Sequence, residues 1–170
     1  HRDWDYLQYF INEARRLGLK VTVSTAMFPS GHPATREGLV YDESRWDGKT
    51  CLEYTPDGKM LDIREDKKKV GAFLNPVRKD VRKFALSIVR EIVRNYDVDA
   101  YALDYCRYPG DDSDFSADSR KAFEHYLGKK VRNFPDDIFT WNADGTKNPG
   151  IYYKEWWAFR ANAVSYTHLR

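Results

Sequence analysis

Cysteine is scarce in this chain: Cys51 and Cys106 are the two present. Two thiols cannot build a disulfide framework, and neither lies in a CxxC or Cys/His pattern with metal-ligand spacing, so the redox compartment stays open. Long apolar runs are missing too, none reaching the ~20 residues that a membrane-spanning helix requires. Nor does charge of one sign predominate. Lys and Arg total 28 against 26 Asp and Glu, a net +2, which gives no electrostatic reason to expect a nucleic-acid or membrane-surface partner. The opening His1-Arg2-Asp3-Trp4 carries neither a start methionine nor a signal-peptide pattern, and a secretion signal is expected, if at all, outside these residues.

Aromatic rings are abundant, with 5 Trp, 12 Tyr and 9 Phe making 15% of the chain. Flat apolar rings with a polar handle suit carbohydrate, whose faces are C–H patches and whose rims are hydroxyls. The same rings also pack cores, so composition permits a sugar site without requiring one.

Residues 3 to 17 place Tyr6, Leu7, Phe10, Ile11, Ala14 and Leu17 at helical spacing, with Asp3 as the N-cap and Gly18 as the stop. A β-branched run, Leu19 to Ala26, follows at strand length. From Ser30 to about Lys69 helical period is lost. Two short flanks, residues 51–54 and 60–63, surround Pro56-Asp57-Gly58-Lys59 and suggest a hairpin within a long loop. Asn75-Pro76 then offers a cap and a first-turn proline for a long helix whose buried stripe is Val81, Phe84, Ala85, Ile88, Ile92 and Val93. The apolar Ala100 to Leu103 reads as a buried strand leading into Asp104 and a loop. Ser116 caps a further helix stopped by Gly128, residues 133 to 150 read as irregular, and a last helix spans residue 152 to about 164. Helices alternating with strands favour an α/β fold with parallel strands, and no internal repeat or flexible linker interrupts it.

In such folds catalytic groups gather where strands end, which singles out residues 26–33 and 104–114. Asp104 is the sharpest candidate. A carboxylate on rigid backbone can attack an anomeric carbon or stabilise oxocarbenium charge, or it can simply hydrogen-bond the following loop. Arg107, three residues on, can pair with Asp104, contact a substrate oxygen or clamp the loop. Tyr105 and Tyr108 suit either sugar contact or packing, and so does His32 in the first loop. His125 is read as an ordinary surface histidine. Asp97-Val98-Asp99 precedes its strand, at the wrong end for a site. Asp111, Asp112 and Asp114 lack EF-hand spacing and read as a solvated loop, so no metal and no cofactor are expected.

Val98-Asp99-Ala100-Tyr101-Ala102-Leu103-Asp104-Tyr105-Cys106-Arg107-Tyr108-Pro109 resembles the "VDGIHLDYIRYP" signature of glycosyl hydrolase-like 10 proteins. Asn75-Pro76 with Val81-Arg82, the exit at Tyr96-Asp97-Val98-Asp99, and Glu13-Ala14-Arg15-Arg16-Leu17-Gly18-Leu19-Lys20-Val21 are similar to further segments of that family. Phe115-Ser116, Phe123, Tyr126, Pro135 and residues Trp157 to Arg160 follow its order.

The resemblance implies an incomplete (β/α)8 TIM barrel over residues 1–164, holding about strands three and four with their helices. A whole barrel typically needs ~250 residues. It further implies an exported, bacterial glycosidase, extracellular or periplasmic, acting on a polysaccharide or oligosaccharide, with Asp104 catalytic. Tyr105, Arg107, Tyr108, His32 and Asn75 are the expected substrate contacts. The second catalytic carboxyl is expected on a strand outside this chain, leaving the piece inactive alone. A non-catalytic carbohydrate-binding barrel is the alternative. Ala100 and Ala102 replace the motif's glycine and histidine, and Ser24 to Met27 lacks its "LNPYR"-like strand end. Residues 165–170 resemble translated sequencing adapter, are expected to be non-native, and should break the last helix.

Overall fold

The computed structural model describes residues 4–169, with side chains through residue 165. The first helix, α1 (Tyr6–Arg16), is capped by Asp5, whose carboxylate accepts from Gln8 N at 3.0 Å; Asp3, the expected cap, lies outside the described residues. Gly18, at φ 71°, ends the helix as its composition anticipates. Ile11 and Ala14 are buried, whereas Tyr6, Phe10 and Leu17 are exposed. Only one edge of the apolar stripe meets the strands.

Strand β1 (Thr22–Ala26) pairs in parallel with a later strand, and between them runs a well-packed excursion. It holds the short α2 (Leu39–Asp42), the hairpin β2 (Leu52–Tyr54) and β3 (Met60–Asp62), and then α3 (Lys79–Asn95). The hairpin falls where the Pro-Asp-Gly-Lys turn puts it. Bridges Pro29↔Phe73 and Thr50↔Leu74 stitch the excursion together. Its core is Phe28, Val40, Trp46, Cys51, Ile63, Phe73 and Leu74, against Val81 and Ala85 of α3. Burial of that many large side chains, each worth about 1.5–3 kcal/mol, makes the segment a structured subdomain.

The long helix begins at Lys79, later than its cap signal suggests. Asn75 does not cap it. Instead Asn75 Oδ1 accepts from Val77 N at 3.0 Å, an Asx turn that closes before the helix starts. Val93, expected in the stripe, is exposed near the helix end.

Strand β4 (Ala100–Asp104) lies beside β1 with Thr22 opposite Ala100 and Ala26 opposite Asp104. Val23, Thr25, Tyr101 and Leu103 form the half-buried face, on which Val23 packs with Ile11 and Leu103 with the α3 core. The Thr25 and Tyr101 hydroxyls hydrogen-bond each other there. The opposite face is a plane of small, exposed side chains, Thr22, Ser24, Ala26, Ala100 and Ala102, that ends in Asp104. At the other end of the pair, Asp99 accepts from Val21 N and from Arg15 at 2.7 Å each, while Arg15 also reaches Asp97 at 3.2 Å. The Asp97-Val98-Asp99 sequence is thus a clamp on α1.

Ser116 caps α4 (Ala117–Leu127), accepting from Ser119 N at 3.2 Å, and left-handed Gly128 ends it. Residues 133–150, read as irregular, contain a second hairpin, β5 (Phe139–Trp141) with β6 (Lys147–Pro149). The last helix, α5 (Tyr153–Leu169), continues past the expected break at Val164. Phe115, Phe123, Phe139, Trp156 and Phe159 fill a second core, joined by Tyr54 from the first hairpin. Much of the aromatic excess is therefore structural. The described residues form a mixed α/β fold with one parallel strand pair and no closed barrel.

Candidate active site

Asp104 closes β4, and its carbonyl accepts from Met27 N at 2.9 Å, which continues the parallel ladder one residue past the strand. The chain then turns sharply, because Tyr105 adopts φ 46°, a left-handed conformation rare for a bulky residue. This turn brings Tyr105 N onto Asp104 Oδ1 at 2.8 Å. One carboxylate oxygen is thereby fixed on rigid backbone while the residue stays exposed. An acceptor held this way retains lone pairs for a ligand and loses little freedom on meeting one.

The neighbours divide by role. Tyr105 packs edge-on against Phe73, ring centroids 6.0 Å apart. Arg107 is exposed and makes no ion pair with Asp104 among the described residues; its guanidinium stands 5.0 Å over the Tyr105 ring and donates to Tyr108 O at 3.2 Å. Arg107 thus clamps the loop rather than pairing with Asp104. Tyr108 is buried, and burial pushes its phenol well above the ordinary range. The Arg160 guanidinium lies 4.4 Å from its ring centroid.

His32 sits on the loop after β1, at the same end of the strand pair. It is exposed, with backbone bonds to Glu37 and Arg36 closing its turn. Asn75 is only 1% exposed, and its amide nitrogen is committed to Asp114 at 2.5 Å, Ser116 at 3.0 Å and Ser119 at 3.3 Å. Its side chain forms the joint between the excursion and α4. Nothing about Asn75-Pro76 alone signals that contact.

The loop after β4 is not the solvated acidic stretch its composition suggests. Asp111 pairs with Lys147 at 2.5 Å, Asp112 with Lys69 at 3.1 Å, and Asp114 is fully buried among Asn75, Ser116, Ser119 and Leu52 N. Glu53, absent from the sequence-based candidates, lies on β2 bridged to Ser113 of this loop. It is 2% exposed and meets Lys69 at 2.5 Å. Burial pushes its carboxyl up to about 7 against the pull of Lys69.

Compared with known proteins, the chain matches over residues 1–166 the model of the family described as glycosyl hydrolase-like 10. It is also 36% identical over 166 residues to an S-layer-related protein of Niallia circulans, an alignment covering 95% of this chain and 10% of that relative. The chain thus spans about a tenth of the relative's length. No solved structure matches it. Within the described residues no helix is long and apolar enough to cross a membrane.

Proposed function

This chain belongs to the glycosyl hydrolase-like 10 family, and on that footing we propose that it is part of a (β/α)8-barrel glycoside hydrolase in which Asp104 is the nucleophile or the charge stabiliser. One observation carries the reading: Asp104 ends a parallel strand, with one oxygen held by its own neighbour's N–H and its side chain open. Barrel enzymes place catalytic groups at that point of a strand. A carboxylate there can form the glycosyl-enzyme bond or balance oxocarbenium charge, while a second carboxyl protonates the leaving oxygen. That second group is proposed to come from a further strand of the whole protein. The substrate is proposed to be a polysaccharide or oligosaccharide.

The barrel itself is supported by the open face of the strand pair. Parallel sheets are as a rule covered on both sides, and the small exposed side chains from Thr22 to Ala102 suit the interior of a barrel completed by further strands. Location outside the cell is proposed with it, in keeping with the name of the S-layer-related relative.

A second reading, a carbohydrate-binding barrel without hydrolysis, is favoured by Ala102. It shares the exposed face with Asp104 and puts a methyl group where the family signature has a histidine. The two readings separate when the whole protein is incubated with a panel of defined oligosaccharides and both retention and new reducing ends are measured. Retention with new reducing ends supports the hydrolase. Retention alone supports the binder.

A further inference from the structure

Beside the Asp104 loop, between residues 107–111 and α5, lies a cleft of about 390 Å³ whose walls include Arg107, Tyr108, Gly110, Asp111, Trp157 and Arg160. Arg160 is its unusual member. It is only 4% exposed, its guanidinium sits between the Tyr108 and Trp157 rings at 4.4 and 4.5 Å, and one nitrogen donates to Gly110 O. Its Nε and Nη1 are buried with no hydrogen-bond partner among the described residues, as is the Tyr108 hydroxyl. Leaving a buried donor unmet costs roughly 1–3 kcal/mol, and more when it is charged. The carboxylates nearest the group, Asp111 and Asp112, attract it but are themselves paired with Lys147 and Lys69. The cleft thus offers the exposed Arg107 guanidinium and a half-buried indole face, backed by the buried charge of Arg160.

We propose that this cleft is a subsite for a carboxylate-bearing sugar, a uronic acid residue of the glycan, with Trp157 against the ring, the exposed Arg107 guanidinium at its carboxylate and the buried Arg160 charge behind it. The proposal rests on reading the chain as part of a glycan-acting protein. A guanidinium matches a carboxylate in shape and charge. An indole takes the C–H face of a pyranose. A neutral sugar would leave the Arg107 guanidinium without a charged acceptor, and a small anion would leave the indole unused.

The test is calorimetric titration of the whole protein, carrying Asp104→Asn to prevent turnover, with tetramers of galacturonic acid and of glucuronic acid, each as free acid and as methyl ester. For at least one tetramer the free acid is expected to bind roughly 10-fold or more tightly than its ester, with the gap narrowing as salt is raised. Trp157→Ala should weaken acid and ester alike, whereas exposed Arg107→Gln should reduce only the preference for acid. Equal affinity of acid and ester for both tetramers, or binding of neither, overturns the subsite. Cleavage of neutral glycans by the unsubstituted whole protein, without any preference for acid, would leave the hydrolase reading standing and remove the subsite. Preference for acid with no cleavage of any glycan would do the reverse.

Discussion

Asn75 and Asp114, far apart in sequence, meet in the interior, Nδ2 to Oδ2 at 2.5 Å, with 1% and 0% of their surfaces exposed. The two Asp114 oxygens accept from Leu52 N, Ser116 Oγ, Ser119 Oγ and Asn75 Nδ2. One carboxylate thus ties the hairpin, the excursion and the start of α4 to the loop that begins at Asp104.

Removing that carboxylate strands its buried donors together. Asp114→Ala is expected to lower unfolding stability by about 3–5 kcal/mol, and Asn75→Ala by about 2 kcal/mol, since fewer groups lose a partner. Urea unfolding followed by far-UV circular dichroism would measure both. Midpoints within experimental scatter of the unsubstituted chain would show that the joint is dispensable.

The Glu53 carboxyl, at about 7 in the folded state against an ordinary 4.5, makes stability depend on pH in a defined direction. Between these values the folded chain holds a proton that the unfolded chain has released. Its contribution is therefore fully present below about 4.5 and is lost as pH rises through about 7. Glu53→Gln, which stays neutral, should gain stability relative to the unsubstituted chain between pH 5 and pH 8. Urea midpoints of the two chains at both pH values decide it; a relative loss over that interval would contradict the assignment.

Gly38 tests whether the loop that carries His32 is rigidly built. Its φ is 104°, and an added Cβ would stand 2.7 Å from Gly31 Cα and 2.9 Å from Ser30 O, both backbone atoms. Gly38→Ala is expected to cost roughly 2 kcal/mol or more. Gly48→Ala, at φ 68° with open space around it, should cost about 1 kcal/mol. Equal effects, measured by thermal melts, would mean that the loop yields at little cost.

These dependencies mark where the sequence can be read and where it cannot. The α4 helix was legible because Ser116 and Gly128 act locally, and β4 because an apolar run between acids has few other uses. The β2–β3 hairpin was legible through its Pro-Asp-Gly-Lys turn. Asn75 misled, since an Asn-Pro pair looks the same whether it caps a helix or reaches Asp114 through a contact 39 residues away. Glu53 and Arg160 carried no local signal, because Lys69 and Tyr108 reach them from other parts of the chain. The β5–β6 hairpin had one that was passed over: Asp144-Gly145 between Phe139-Thr140-Trp141 and Lys147-Asn148-Pro149. At the site, sequence placed Asp104 at its strand end. It could not foresee that Arg107 would turn onto Tyr105.

The most direct measurement of the central claim is the rate of reducing-end release from the preferred glycan by the complete protein, with Asp104 intact and with Asp104→Asn. The substitution keeps the side chain's size and removes its charge. A fall on the order of 10²- to 10³-fold or more, with an unchanged melting temperature and retained glycan binding, is the expected result. An Asp104→Asn protein that turns over at the original rate would remove Asp104 from the mechanism.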